Sequence, residues 1–271
     1  MHLKGSVMQR RLMLKLAALA SASLLFMNAA QAGETIRVGV TAGPHAQLME
    51  VAKEVAARHG LTIKLVEFSD YVQPNAALAS GELDANSYQH APYLQAQVKD
   101  RGYKLIKIAD TVIFPMGIYS AKVKSLAALP EGAKIAVPND PTNGGRALML
   151  LQKKGLLKLR PEAGLKATPL DIVSNPKKFK IIELDAAQVP RVLADVDAAA
   201  INTNFAMQAG LMPQQDAIGL EDIKAPYTNI LVIRASDRNE PWVAKLVAAY
   251  HSPEMKKYID SKFGGAVIAA W

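Results

Sequence analysis

The chain predicts an α/β fold of two lobes facing a shared cleft, on three observations. A strand, a helix and a second strand open the body of the chain. A short helix-turn-strand design then occurs twice, far apart. Two long extended segments, rich in Ile, Val, Thr and Tyr, bracket the middle of the sequence.

In the opening unit, residues 35–40 read as a strand that ends at Gly43 and Pro44. From residue 46 to 59, Leu48, Val51, Ala52 and Val55 fall on one helical face, with Glu50, Lys53 and Glu54 elsewhere, and Gly60 closes the helix. Residues 61–68 form the next strand, and this spacing argues for parallel βαβ units. The repeated design covers residues 74–86 and 190–202. Each copy starts on a proline suited to a helix's first turn, passes an acidic turn, and delivers an asparagine (Asn86, Asn202) from a brief strand. Chance similarity of so short a pair is the alternative. Residues 105–119 and 227–234 read as the two connections between a discontinuous first lobe (33–113 plus 232–271) and a continuous second lobe (114–231, crossovers included). Residues 134–137 and 180–184 are strands of the second lobe. Residues 242–250 and 254–263 are helices returning to the first.

Residues 1–32 read as a cleaved export signal. Lys4, Arg10, Arg11 and Lys15 precede an apolar run too short for a comfortable membrane span, and Ala30-Gln31-Ala32 supplies a small-x-small cleavage pattern. The paired arginines fit a twin-arginine route, and an ordinary secretory signal fits equally. Cleavage removes four basic and no acidic residues, so the formal charge falls from +8 to +4 (8 − 4). A mildly basic body with no arginine-rich run argues against nucleic-acid binding. The absence of cysteine excludes disulfides, thiolate metal sites and a cysteine nucleophile, and removes the residue on which exported binding proteins carry a lipid. A soluble, exported, periplasmic protein without a lipid anchor is the expectation.

No catalytic pattern stands out: there is no zinc helix, nucleophile elbow or phosphate loop, and the five histidines lack metal-ligand spacing. The expectation is therefore not an enzyme, with no metal and no cofactor. A binding site is better supported. Tyr71 follows Ser69 and Asp70 at a strand end. The run Asn86-Ser87-Tyr88-Gln89-His90-Ala91-Pro92-Tyr93 packs two tyrosines and a histidine at a strand-to-helix junction. Such rings offer apolar faces with polar tips, suited to an apolar or sulfur-containing side chain, and a core aromatic cluster is the plainer reading. The run Pro138-Asn139-Asp140-Pro141-Thr142-Asn143-Gly144-Gly145-Arg146 leads into an apolar helical segment at Ala147. Its glycines allow close approach of backbone N–H groups, its position ahead of a helix favours an anion, and Arg146 adds a fork matched to a carboxylate. An ordinary helix cap with a surface arginine is the alternative.

Together with Ala200-Ile201-Asn202-Thr203, Pro226-Tyr227-Thr228-Asn229 and Gly264-Gly265-Ala266-Val267, these runs resemble, in order, the NlpA-type methionine-binding family of periplasmic solute-binding proteins that serve methionine ABC importers. The resemblance covers nearly the whole body of the chain. It implies a type II periplasmic-binding-protein-like fold whose lobes close on a free amino acid, with methionine as ligand and a membrane permease as partner. Tyr71, Tyr88, His90 and Tyr93 would surround the ligand side chain. Arg146 would clamp the carboxylate, and Asn143, Asn202 and Asn229 would hold the α-carbon groups from the second lobe and the crossover. Tyr88 stands where such proteins commonly carry phenylalanine, and its hydroxyl needs a partner when buried. A different amino acid or small dipeptide on the same fold, or an enzyme on a two-lobed scaffold, are the rival readings.

Overall fold

The computed structural model describes residues 34–271, so the expected export signal lies outside the described residues. In chain order the strands are β1 (Glu34–Thr41), β2 (Leu61–Phe68), β3 (Ala85–His90), β4 (Leu105–Ile113), β5 (Gly117–Tyr119), β6 (Lys134–Pro138), β7 (Lys158–Leu159), β8 (Ile172–Ser174), β9 (Lys180–Leu184), β10 (Ala198–Ile201), β11 (Gly219–Leu220), β12 (Thr228–Arg234) and β13 (Ile268–Ala269). The α-helices are α1 (Pro44–Ala57), α2 (Gln73–Ser80), α3 (Ala91–Arg101), α4 (Pro141–Lys153), α5 (Thr203–Gln208), α6 (Pro213–Asp216), α7 (Pro241–Tyr250) and α8 (Pro253–Lys262).

Two mixed sheets carry the two lobes. The larger runs β13-β4-β12-β3-β1-β2 and the smaller β11-β5-β10-β6-β9. β1 pairs parallel with β3, and β6 pairs parallel with both β9 and β10, as strand-helix-strand units require. Each sheet is buried on both faces, which explains its near-continuous apolar strands. Along β12, Leu231 and Ile233 enter the core beneath α1, α7 and α8, while Ile230 and Val232 face Leu78, Leu83 and Leu94 on the opposite side. In the smaller sheet, Ala198 and Ala200 pack with Leu148 and Leu151 of α4, and Ala199 and Ile201 pack on the other face with Phe205 and Val189.

The two long extended segments behave differently. The first breaks at Phe114-Pro115-Met116, leaving β4 in the larger sheet and β5 in the smaller, so it crosses between lobes. The second does not. β12 pairs with β3 and β4 from Thr228 onward, so the chain has already rejoined the larger sheet before residue 232. The repeated design also diverges. Its first copy folds as α2 leading to β3, but its second keeps only a 3-10 turn at Val189–Val192 before β10.

The helix after β6 starts earlier than its apolar residues indicate. Asp140 accepts from the backbone N–H groups of Thr142 (3.2 Å) and Asn143 (2.9 Å), and Pro141 occupies the first turn. Asn143, Gly144, Gly145 and Arg146 therefore lie inside α4 rather than in a loop ahead of it. The glycines serve packing. A Cβ on Gly144 would stand 2.7 Å from the Pro138 carbonyl oxygen, and one on Gly145 would stand 2.4 Å from that of Leu165.

Candidate functional site

A small cavity lies between the lobes. Its wall contains Tyr71, Tyr88, His90, Tyr93, Arg146, Asn202 and Asn229, so the structure gathers every predicted site residue except Asn143 into one lining. Asn143 stands one hydrogen bond behind it. The larger-sheet lobe contributes Tyr88 and His90 from β3, Tyr93 from α3, Tyr71 from the turn after β2, and Asn229 from β12. Asn229 faces His90 in register on the neighbouring strand and donates to the Val112 carbonyl at 3.2 Å. Its place is thus in the larger sheet, not in the second lobe or the crossover. Arg146 on α4 and Asn202 at the end of β10 come from the other side.

The aromatic wall is continuous. Tyr71 lies 6.0 Å from Tyr88, Tyr88 lies 6.1 Å from Tyr93, and Phe205 closes the group 4.8 Å from Tyr71. Burial raises the pKa of all three tyrosine hydroxyls, so they stay protonated. Two have partners: Tyr71 donates to Asn204 Oδ1 at 2.5 Å, across the cleft, and Tyr93 donates to the Tyr71 carbonyl at 2.8 Å. The Tyr88 hydroxyl is buried and has no partner among the described residues.

A polar chain backs this wall. His90 Nδ1 accepts the Tyr93 backbone N–H at 3.1 Å, which places the ring proton on Nε2, facing Asn143 Oδ1 at 3.1 Å. Asn202 Nδ2 donates to the same oxygen at 2.8 Å, and Asn143 Nδ2 donates to Asp140 at 2.9 Å. Burial, then the nearby Arg146 charge, depress the His90 pKa to about 3, so the ring is neutral at ordinary pH. Asn202 Oδ1 and Asn204 Nδ2 keep unused hydrogen-bonding capacity.

Arg146 is not a free fork. Its Nε and Nη2 meet the Glu221 carboxylate, Nη2 to Oε2 at 2.5 Å, with the two side chains 3% and 8% exposed. Nη2 also donates to the Phe114 carbonyl at 2.8 Å, and the Tyr227 ring lies 4.3 Å from Cζ. Only Nη1 lacks a protein partner among the described residues, and it leaves one edge of the guanidinium for a ligand.

The family model of the NlpA lipoproteins matches residues 36–271. The chain belongs to the NlpA lipoprotein family. Among the relatives of this NlpA chain, the D-methionine-binding lipoprotein MetQ of Salmonella typhimurium is 49% identical over 239 residues, spanning 87% of this chain and 88% of the relative. Its counterpart in Escherichia coli K12 is 48% identical over the same shares. A nutrient binding protein from Burkholderia cenocepacia, solved bound to methionine, superposes with a TM-score of 0.86 at 57% identity, covering 87% of this chain and 100% of that one. The expectation of an NlpA-type chain with a two-lobed α/β fold therefore holds. The relatives' designation as lipoproteins runs against the expectation of no lipid anchor. No helix among the described residues is long and apolar enough to cross a membrane.

Several functional-looking residues of this NlpA chain escaped sequence reasoning. Asn204 and Thr203 follow Asn202 directly and could have been taken with it. Gln89 lay unremarked between Tyr88 and His90. Phe114 and Glu221 carry no local motif, and only the fold brings them to Arg146.

Proposed function

We propose that this chain is an exported binding protein that captures methionine between its lobes, delivers it to a membrane importer and turns nothing over. One observation carries the reading: the unused polar atoms of the cavity wall match an α-amino acid, and the same wall presents the rings of Tyr71, Tyr88, Tyr93 and Phe114. Arg146 Nη1 and Asn204 Nδ2 are donors suited to a carboxylate, and Asn202 Oδ1 is an acceptor suited to an ammonium group. The Tyr71, Tyr88 and Tyr93 rings of the wall, with Phe205 packed behind Tyr71, suit a flexible thioether side chain. Methionine-binding relatives at nearly half identity support the same ligand. The 271 residues contain no cysteine, so a lipid carried on a cysteine side chain has no attachment point in them. A soluble exported form is part of this proposal, and phase partitioning with detergent tests it.

A thermal-shift screen of free amino acids tests the ligand class. A true ligand at about a thousand times its dissociation constant stabilises by roughly 4 kcal/mol. Stabilisation by either enantiomer of methionine supports the reading. A shift with another amino acid and none with methionine would move the specificity while leaving the fold untouched.

A further inference from the structure

Glu221 stands behind Arg146 and is not part of the cavity wall. Besides the guanidinium, it accepts the Met116 backbone N–H at 3.0 Å, in the crossover between the lobes. The same guanidinium donates to Phe114, two residues earlier in that crossover. The ion pair is therefore held rigidly at one end of the cavity and shielded from water. The other ionisable groups around the ligand space add little charge. His90 is neutral, the tyrosines are protonated, and Asp140, whose pKa burial raises, faces the first-turn N–H groups of α4, whose helix end carries partial positive charge. With Arg146 balanced by Glu221, the wall's side chains offer directed hydrogen bonds but no net charge.

We propose that Glu221 is a specificity-determining residue that acts through Arg146: by neutralising the guanidinium beside the cavity, it makes the site select a net-neutral zwitterion over a singly charged anion. The inference rests on reading the cavity as an amino-acid site. A ligand carboxylate on Nη1 lies one guanidinium away from the Glu221 carboxylate, in a medium where charges are poorly screened. A zwitterion compensates with its own ammonium group near Asn202 Oδ1. An anion without that group brings an unbalanced charge into a buried site, which low dielectric penalises. Without Glu221 the arginine is an uncompensated cation, and an anionic ligand supplies the missing charge.

The test compares methionine with its α-hydroxy analogue, 2-hydroxy-4-(methylthio)butanoate, in which a hydroxyl replaces the ammonium group. Calorimetric titration of the wild-type protein is expected to favour methionine by at least tenfold. In Glu221→Gln that preference is expected to shrink at least tenfold, whereas Glu221→Asp keeps it within threefold of wild type. A glutamate that merely supports the fold weakens both ligands alike, so an unchanged ratio in Glu221→Gln overturns the inference. Wild-type protein binding the two ligands within threefold of each other also overturns it, with no variant needed. Wild-type protein that binds neither ligand defeats the methionine reading itself, which separates the two failures.

Discussion

His90 Nε2 and Asn143 Oδ1 meet at 3.1 Å, joining a strand of the larger sheet to the first turn of a helix in the other lobe. Nε2 is the donor, because Nδ1 already accepts the Tyr93 N–H, and that acceptance needs the neutral imidazole. Protonating Nδ1 turns that acceptor into a second donor.

Acid should therefore loosen the protein in a defined window. His90 and the equally buried His45 both have folded pKa values lowered to about 3 by burial, against 6.5 in the unfolded chain. Between these values the unfolded state binds more protons. Their contribution is complete above about pH 6.5 and is lost as pH falls toward 3. Each histidine contributes a slope of about 1.4 kcal/mol per pH unit inside the window. Denaturant titrations from pH 7 to pH 4 should show His90→Gln with a shallower slope than wild type by about that amount. An identical slope would contradict the neutral buried ring.

Gly145→Ala sets helix propensity against packing. Alanine is favoured over glycine in a helix by about 1 kcal/mol. The new Cβ, however, would lie 2.4 Å from the Leu165 carbonyl oxygen, a backbone atom that cannot swing aside. Overpacking costs of about 1–3 kcal/mol are typical, so the net effect should be destabilising. Chemical denaturation checks it, and a more stable Gly145→Ala protein would refute the close packing of α4 on this segment.

Tyr88→Phe removes a buried hydroxyl that no protein group satisfies. An unsatisfied buried polar group costs about 1–3 kcal/mol, so the ligand-free variant should be at least as stable as wild type in urea. A loss above about 1 kcal/mol would show that the hydroxyl has a partner within the folded chain.

How much of this was legible beforehand follows from the range of each interaction. Most strands of both sheets and the ring-bearing run at β3 announce themselves through local periodicity and composition, whereas the two-residue edge strands β11 and β13 do not. Residues brought together by the topology do not. Read locally, residues 227–234 look like a connection, which puts Asn229 in the crossover. Its actual place is fixed by cross-strand pairing with β3 and β4, which no local pattern encodes. The glycines at 144 and 145 looked like a ligand-cradling loop, but Asp140 caps the backbone into a helix and the glycines admit neighbouring carbonyls. The sequence presents Arg146 as a cation for a carboxylate. That a carboxylate of the chain itself, 75 positions away, already pairs with two of its nitrogens could only come from the fold.

Titration of methionine into wild-type protein and into Arg146→Ala, by calorimetry, addresses the central claim most directly. The account predicts saturable one-site binding to wild type, weakened in Arg146→Ala by about 2–5 kcal/mol, as for removing one member of a buried charge pair. Methionine binding of equal strength in the two proteins would contradict it.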